Sequence, residues 1–237
     1  MLKKFLISPP FGTYIQRDWA TSVVGSFTLE KRPGLIKQTI KTLRPIKGGW
    51  VNSIGFRNKG IKNVEFNNLG NKSSRLISIA GIGGDSDWLQ IADEIPNECM
   101  VEVNVGCPNI GSYSITRPIL LEIVNKFPLV ILKIPPTREA MTMVMGFYWH
   151  SGLRYVHIAN TIPTERGGES GKRLKELNIP FVKHMRLILP DINIIGGGGI
   201  YSPQDLIDYK NAGANYFSLS TVWFMPWRIK KIVDTIK

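Results

Sequence analysis

The sequence predicts a (β/α)₈ barrel, and three observations carry that prediction. The length of 237 residues suits one barrel of this type, which typically runs to about 250 residues. Short apolar, β-branched runs alternate with longer amphipathic stretches along the whole chain, the rhythm of parallel strands with crossover helices. Ile195-Gly196-Gly197-Gly198-Gly199-Ile200 leaves the seventh such run, and Ser218-Leu219-Ser220-Thr221 closes the eighth. In barrels the loops after strands seven and eight commonly hold a phosphate. An open doubly wound sheet is the competing architecture. No linker, repeat or low-complexity tract divides the chain, so residues 1–237 are expected to form a single domain.

The expected strands cover residues 4–8, 22–26, 75–80, 101–105, 130–134, 154–159, 192–196 and 216–220. They are short and apolar on both faces, as buried parallel strands should be. Helices are expected at 85–95, at 117–127 after a Thr116 cap, and from a Thr137 cap to His150, where Gly152 stops the helix. Ser202-Pro203-Gln204-Asp205 has the form of a capping box with proline at the first helical position, and Gly213 ends that helix. Residues 27–74 are longer than one helix requires. An insertion at that end of a barrel is where ligand contacts usually arise.

Composition narrows the function classes. The apolar fraction is 43%, ordinary for a globular domain, and no stretch reaches the roughly 20 apolar residues of a membrane span. The first ten residues hold too short an apolar run before Pro9 and Pro10 for a secretory signal. Cytoplasmic placement with reduced thiols is therefore expected for Cys99 and Cys107. His150, His157 and His184 lack metal-ligand spacing and read as structural or surface residues, so no metal is expected. The net charge of +12 fits an anionic partner, or a lysine-rich bias spread over solvated helix faces. The even spread of basic residues favours the second, and no specific nucleic-acid or membrane partner is expected.

Three groups at expected strand ends carry chemistry. In Asn104-Val105-Gly106-Cys107-Pro108-Asn109-Ile110 a strand runs into a thiol flanked by carboxamides, with Pro108 stiffening the turn. That thiol can be a nucleophile or a base, or simply a small buried residue of the turn. The two carboxamides offer donors and acceptors to a planar polar ligand. Lys133 ends an apolar strand, where burial without an anionic partner is expensive; a cofactor or substrate is the natural partner there. Gly198 and Gly199 let backbone N–H groups approach an anion, ahead of a helix N-terminus.

With these residues in view the chain resembles the dihydroorotate dehydrogenase family over nearly its full length. Thr28-Leu29-Glu30-Lys31-Arg32-Pro33-Gly34 is similar to the family's TLEPRPG segment, and Asn52-Ser53-Ile54-Gly55-Phe56-Arg57-Asn58 to its NxxGLxN loop. The stretch 104–109, Asn160-Thr161, and Gly168-Glu169-Ser170-Gly171 with the glycine run also match, in order. The resemblance implies an FMN barrel that oxidises dihydroorotate in pyrimidine synthesis, with the C5 proton going to a base and hydride passing to flavin N5. It places Cys107 as that base, in the cysteine-using class. It places Asn52, Asn109, Asn160 and Thr161 on the substrate. Ser26, Asn104 and Lys133 fall on the flavin, and Gly171, Gly198, Gly199, Ser220 and Thr221 on its ribityl and phosphate groups.

The chain also departs from the family. Val24-Gly25-Ser26 stands where the family has lysine before serine; losing one charge-assisted contact would cost about 1.5–3 kcal/mol. Arg57 is one nearby cation that would compensate. The first-strand turn is altered to Ser8-Pro9-Pro10-Phe11-Gly12, and the stretch from Thr161 to Gly167 is short, so a lid or dimer element is expected to be trimmed. The absence of an amphipathic segment before the first strand argues against a quinone-linked membrane enzyme. A homodimer stays possible. The competing functions are a flavin reductase of another pyrimidine or enone, and a phosphate-binding barrel without redox chemistry.

Overall fold

The computed structural model describes residues 1–66, 75–107, 109, 110 and 114–236. The end of the long insertion and Pro108 lie outside them. In chain order the elements are β1 (Phe5–Ile7), α1 (Phe11–Tyr14), β2 (Ala20–Phe27), α2 (Leu35–Thr42), β3 (Arg44–Ile46), β4 (Gly49–Asn52), β5 (Arg75–Ile79) and α3 (Asp85–Asp93). There follow β6 (Met100–Asn104), α4 (Arg117–Lys126), β7 (Val130–Ile134), α5 (Arg138–Ser151), β8 (Tyr155–Ile158), β9 (Ile162–Thr164) and β10 (Gly167–Gly171). The chain closes with α6 (Lys172–Ile188), β11 (Asn193–Gly197), α7 (Pro203–Asn211), β12 (Tyr216–Leu219) and α8 (Ile229–Val233).

β1, β2, β5, β6, β7, β8, β11 and β12 close into an all-parallel barrel, which removes every sheet edge. This is the (β/α)₈ architecture, and each expected strand overlaps one of its members. Two helix caps follow the sequence signals. Thr137 Oγ1 accepts from Ala140 N at 3.2 Å, and Ser202 Oγ accepts from Asp205 N at 3.2 Å while Asp205 reaches back to it at 2.8 Å. Thr116 corrects a third expectation. It sits at the N-cap of α4 but makes no cap bond; its hydroxyl donates instead to Asp85 Oδ2 at 2.7 Å.

Side chains alternate across a strand, and here the alternation sorts the barrel interior into two layers. Leu6, Val23, Leu76, Met100, Ile131 and Ile195 form an apolar plug, with Tyr155 and Tyr216 packed on it. Two residues further along each strand the same face carries Ser8, Gly25, Ser78, Glu102, Lys133, His157, Gly197 and Ser218. The strands are thus not apolar on both faces throughout. Their inward face turns polar one layer below the C-terminal mouth.

The insertion and the short stretch after Thr161 meet in a second, four-stranded antiparallel sheet of order β3-β4-β10-β9. The shortened segment is the turn of the β9–β10 hairpin, tied by Thr164 Oγ1 donating to Gly167 O at 2.7 Å. Among the described residues no helix is long and apolar enough to cross a membrane.

Candidate functional site

A cavity of about 810 Å³ opens at the C-terminal mouth between the barrel and the second sheet, inside the ordinary size range of small-ligand sites. Ser26, Asn52, Asn104, Cys107, Asn109, Lys133, Asn160, Thr161, Gly198, Gly199, Ser220 and Thr221 all line it. Gly171 does not. It backs the wall, its carbonyl 2.5 Å from where a Cβ on Gly199 would stand. Apart from Gly171, the site residues expected from the sequence therefore converge on one space, from segments far apart in the chain.

The glycine end is built by backbone. Gly198 and Gly199 leave β11 with φ of 88° and 75°, a region L side chains avoid. Lys175, the nearest cation by contact, is held away from ligands by Asp205 at 2.5 Å and Asp208 at 2.6 Å. Thr221 Oγ1 shares a 2.6 Å hydrogen bond with Tyr201 Oη. A cradle of close backbone, small side chains and two hydroxyls suits a phosphate. It fits the phosphate and ribityl end of FMN, and Asn104 lines the same cavity.

The opposite end is built by carboxamides. Asn109 Oδ1 accepts from Gly168 N at 2.8 Å, and its Nδ2 donates to Asn52 Oδ1 at 3.4 Å. Thr161 packs where a Cβ on Gly168 would be, 2.3 Å away. β4 and β10 join the two ends, since Gly49 faces Gly171 and Asn52 faces Gly168 in register. Three residues of strand span about 10 Å.

Beneath the cavity floor runs a hydrogen-bonded chain that sequence reading missed. Asn160 Nδ2 donates to Asn104 Oδ1 (3.2 Å), and Asn104 Nδ2 donates to Ser26 Oγ (3.1 Å). Ser26 bonds Ser78 Oγ (2.7 Å), which donates to Glu102 Oε1 (2.7 Å). Glu102 also meets His157 Nδ1 at 2.7 Å and Lys133 Nζ at 3.6 Å. Burial opposes ionisation of this carboxyl, but Lys133, His157 and Ser78 outweigh it and bring its pKa down to about 2. Burial pushes His157 below the ordinary imidazole range against the pull of Glu102, with Lys133 adding to the fall, and its Nε2 is buried without a hydrogen-bond partner among the described residues.

Lys133 has an anionic partner in Glu102 and also faces the cavity. His157 is fully buried and bonded, the structural one of the two roles expected of it. The overlooked signal was Glu102, Lys133 and His157 in the same inward phase of three neighbouring strands.

Gly25 is the second surprise. Its φ is 118°, and a Cβ there would stand 2.5 Å from Ser78 O and 2.9 Å from Phe27 N. The backbone excludes any side chain at this position, so more than a swap of lysine for glycine separates this wall from the family pattern.

Cys107 sits half-buried on the wall after β6. Burial pushes its thiol pKa up; a backbone bond from Asn109 and the charges of Lys133 and Arg32 oppose that rise. Cys99 is buried elsewhere, and neither cysteine is in a disulfide. No cluster of metal-ligating side chains occurs among the described residues.

The sequence profile of dihydroorotate dehydrogenase matches residues 12–237. The chain belongs to the dihydroorotate dehydrogenase family, whose named members are oxidoreductases. It is 26% identical over 221 residues to the catalytic subunit of dihydroorotate dehydrogenase B (NAD(+)) of Staphylococcus carnosus, covering 79% of this chain and 71% of that one. It is 25% identical over 210 residues to dihydroorotate dehydrogenase A (fumarate) of Lactobacillus helveticus, covering 76% and 68%. With dihydroorotate dehydrogenase (quinone) of Shewanella amazonensis it shares 28% over 252 residues, covering 89% and 74%. The fold is also that of the Eimeria tenella enzyme crystallised with ferulenol, at TM-score 0.70 and 17% identity over 98% of this chain and 80% of the other.

Proposed function

We infer that this family member oxidises dihydroorotate to orotate in de novo pyrimidine synthesis, as a single domain with FMN as its resident cofactor. The observation that carries the reading is the convergence of a thiol, four polar side chains and a glycine cradle on one cavity. Bound FMN supplies a hydride acceptor. Gly198, Gly199, Ser220 and Thr221 would hold its ribityl and phosphate groups, with Gly171 backing Gly199 from behind the wall, and Ser26, Asn104 and Lys133 would meet its ring. Asn52, Asn109, Asn160 and Thr161 orient the pyrimidine through its carbonyl and N–H groups.

Cys107 takes the C5 proton. A thiol raised by burial is scarcely ionised at neutral pH, which a base of this kind tolerates at the expense of rate. Lys133, fixed by Glu102, keeps a positive charge at the cavity floor, where it favours negative charge developing above it. The relatives are named for NAD(+), fumarate and quinone, and the reading here extends to the dihydroorotate half-reaction alone.

One observation favours a second reading. The sealed backbone at Gly25 removes a cation that the family resemblance places beside the substrate, which suits a reductase of another pyrimidine or enone. The test is anaerobic mixing of the purified yellow protein with dihydroorotate, followed at the flavin absorbance band. Bleaching by dihydroorotate and not by dihydrouracil supports the first reading. Bleaching by dihydrouracil alone supports the second, and a colourless protein overturns both.

A further inference from the structure

The charges on the cavity wall do not balance, and the imbalance singles out one side chain. No carboxylate lines the cavity among the described residues, whereas Arg57, Lys59 and Lys133 do. Lys133 is matched from below by Glu102. Lys59 is exposed, where water screens it. Arg57 is half-buried, and its Nε is buried with no hydrogen-bond partner among the described residues. Its guanidinium reaches Pro33 O only at 3.5 Å, through Nη1, beyond the normal hydrogen-bond range. A guanidinium carries five donors in a planar fork, and Arg57 lines the cavity with its Nε unpartnered among the described residues and Nη1 in one long contact.

The loop that presents Arg57 is held on both sides. Asn52 Oδ1 accepts from Ile54 N at 3.2 Å. Asn58 donates to Phe56 O at 2.7 Å and to Thr28 Oγ1 at 3.1 Å, and accepts from Gly60 N at 2.8 Å. The loop also abuts the carboxamide end, since a Cβ on Gly55 would lie 3.4 Å from Asn109 O. Arg32, the other cation nearby, points its Nε at Gly55 O at 3.4 Å and does not line the cavity.

We propose that Arg57 is the specificity residue for the negative charge of the substrate, receiving the carboxylate of a carboxylated pyrimidine in a two-point, charge-assisted contact. The identity of that occupant rests on the proposed function; the need for an anion at this place rests on the wall itself. Arginine suits the role because its fork matches both oxygens of a carboxylate, which a lysine meets only as a point charge.

The experiment is titration of the FMN-loaded protein with orotate and with uracil, which lacks the carboxylate, read as the shift of the flavin band. The wild type, Arg57→Met, Arg57→Gln, Arg57→Lys and Arg32→Met are compared, with flavin content and melting temperature as checks of folding. Neutral variants at position 57 should weaken orotate about 10- to 100-fold while uracil binding stays within about twofold. Arg57→Lys should recover part of the loss, and Arg32→Met should keep the preference for orotate. Equal loss of both ligands, or an unchanged preference in both neutral variants, would overturn the proposal. So would a wild type that binds uracil as tightly as orotate, or loss of the preference in Arg32→Met alone. Flavin bleaching by dihydroorotate is read separately, so a failure of the reaction and a failure of Arg57 remain distinct results.

Discussion

The two ends of the cavity are made in different ways. At the glycine end, backbone meets backbone: a Cβ on Gly199 would stand 2.5 Å from Gly171 O and 2.8 Å from Lys175 Cβ. At the carboxamide end, the Asn109 side chain from the loop after β6 accepts from the Gly168 backbone N–H of the β9–β10 hairpin at 2.8 Å and donates to the Asn52 side chain of the insertion at 3.4 Å. A site made of backbone has no slack, because its shape is that of the main chain. A site made of side chains can change one contact at a time and keep its fold. Gly25, in β2, follows the first pattern: there too the main chain itself sets the shape and excludes a side chain.

Three changes test this contrast. Cys107→Ala should have the largest effect, lowering flavin reduction by dihydroorotate by about 10²–10⁴-fold while flavin content stays at the wild-type level; stopped-flow absorbance measures both. Because burial raises the thiol pKa, the wild-type rate should climb with pH through and beyond the ordinary thiol range near 8.5. A pH-independent rate would remove Cys107 as the base.

Glu102→Gln comes next, since it acts beneath both ends. It leaves the Lys133 ammonium buried without its countercharge, and breaking a buried pair in this way costs about 3–5 kcal/mol. Urea denaturation of the two proteins gives the difference directly. A loss under about 1 kcal/mol, the scale of an exposed pair, would mean that solvent in the cavity, not Glu102, balances Lys133. Gly199→Ala should have the smallest effect, about 1–3 kcal/mol of overpacking. It should appear mainly as weaker FMN binding by the apoprotein, with little change in the carboxamide end. An equal loss of orotate affinity in the flavin-loaded variant would show that the ends are coupled through β4 and β10.

The barrel was legible because its signals are local and repeated. Strands at 75–80 and 130–134, the Thr137 and Ser202 caps, and the glycines after the seventh strand each follow from residues within a few positions of one another. The site was legible only as motifs in order, with Cys107 and Asn109 in one stretch and Asn160 and Thr161 in another. The second sheet was not, since its pairing of Gly49–Asn52 with Gly167–Gly171 joins segments more than a hundred residues apart that carry no shared period. The Thr116 cap failed for a related reason. Asp85, distant in sequence, competes for its hydroxyl.

Sequence alone determined the closed parallel barrel, the place of its glycine cradle and the set of polar groups at its mouth, because hydrophobic period, turn residues and motif order are written along the chain. Tertiary structure decided which charges are satisfied. Glu102, Lys133 and His157 stand on three neighbouring strands, and the pairing of those strands brings them together, with Glu102 and His157 fully buried and Lys133 at the cavity wall. There electrostatic attraction is strong enough to hold a carboxylate near pKa 2 and to leave Arg57, rather than Lys133, facing the cavity with its charge unmatched.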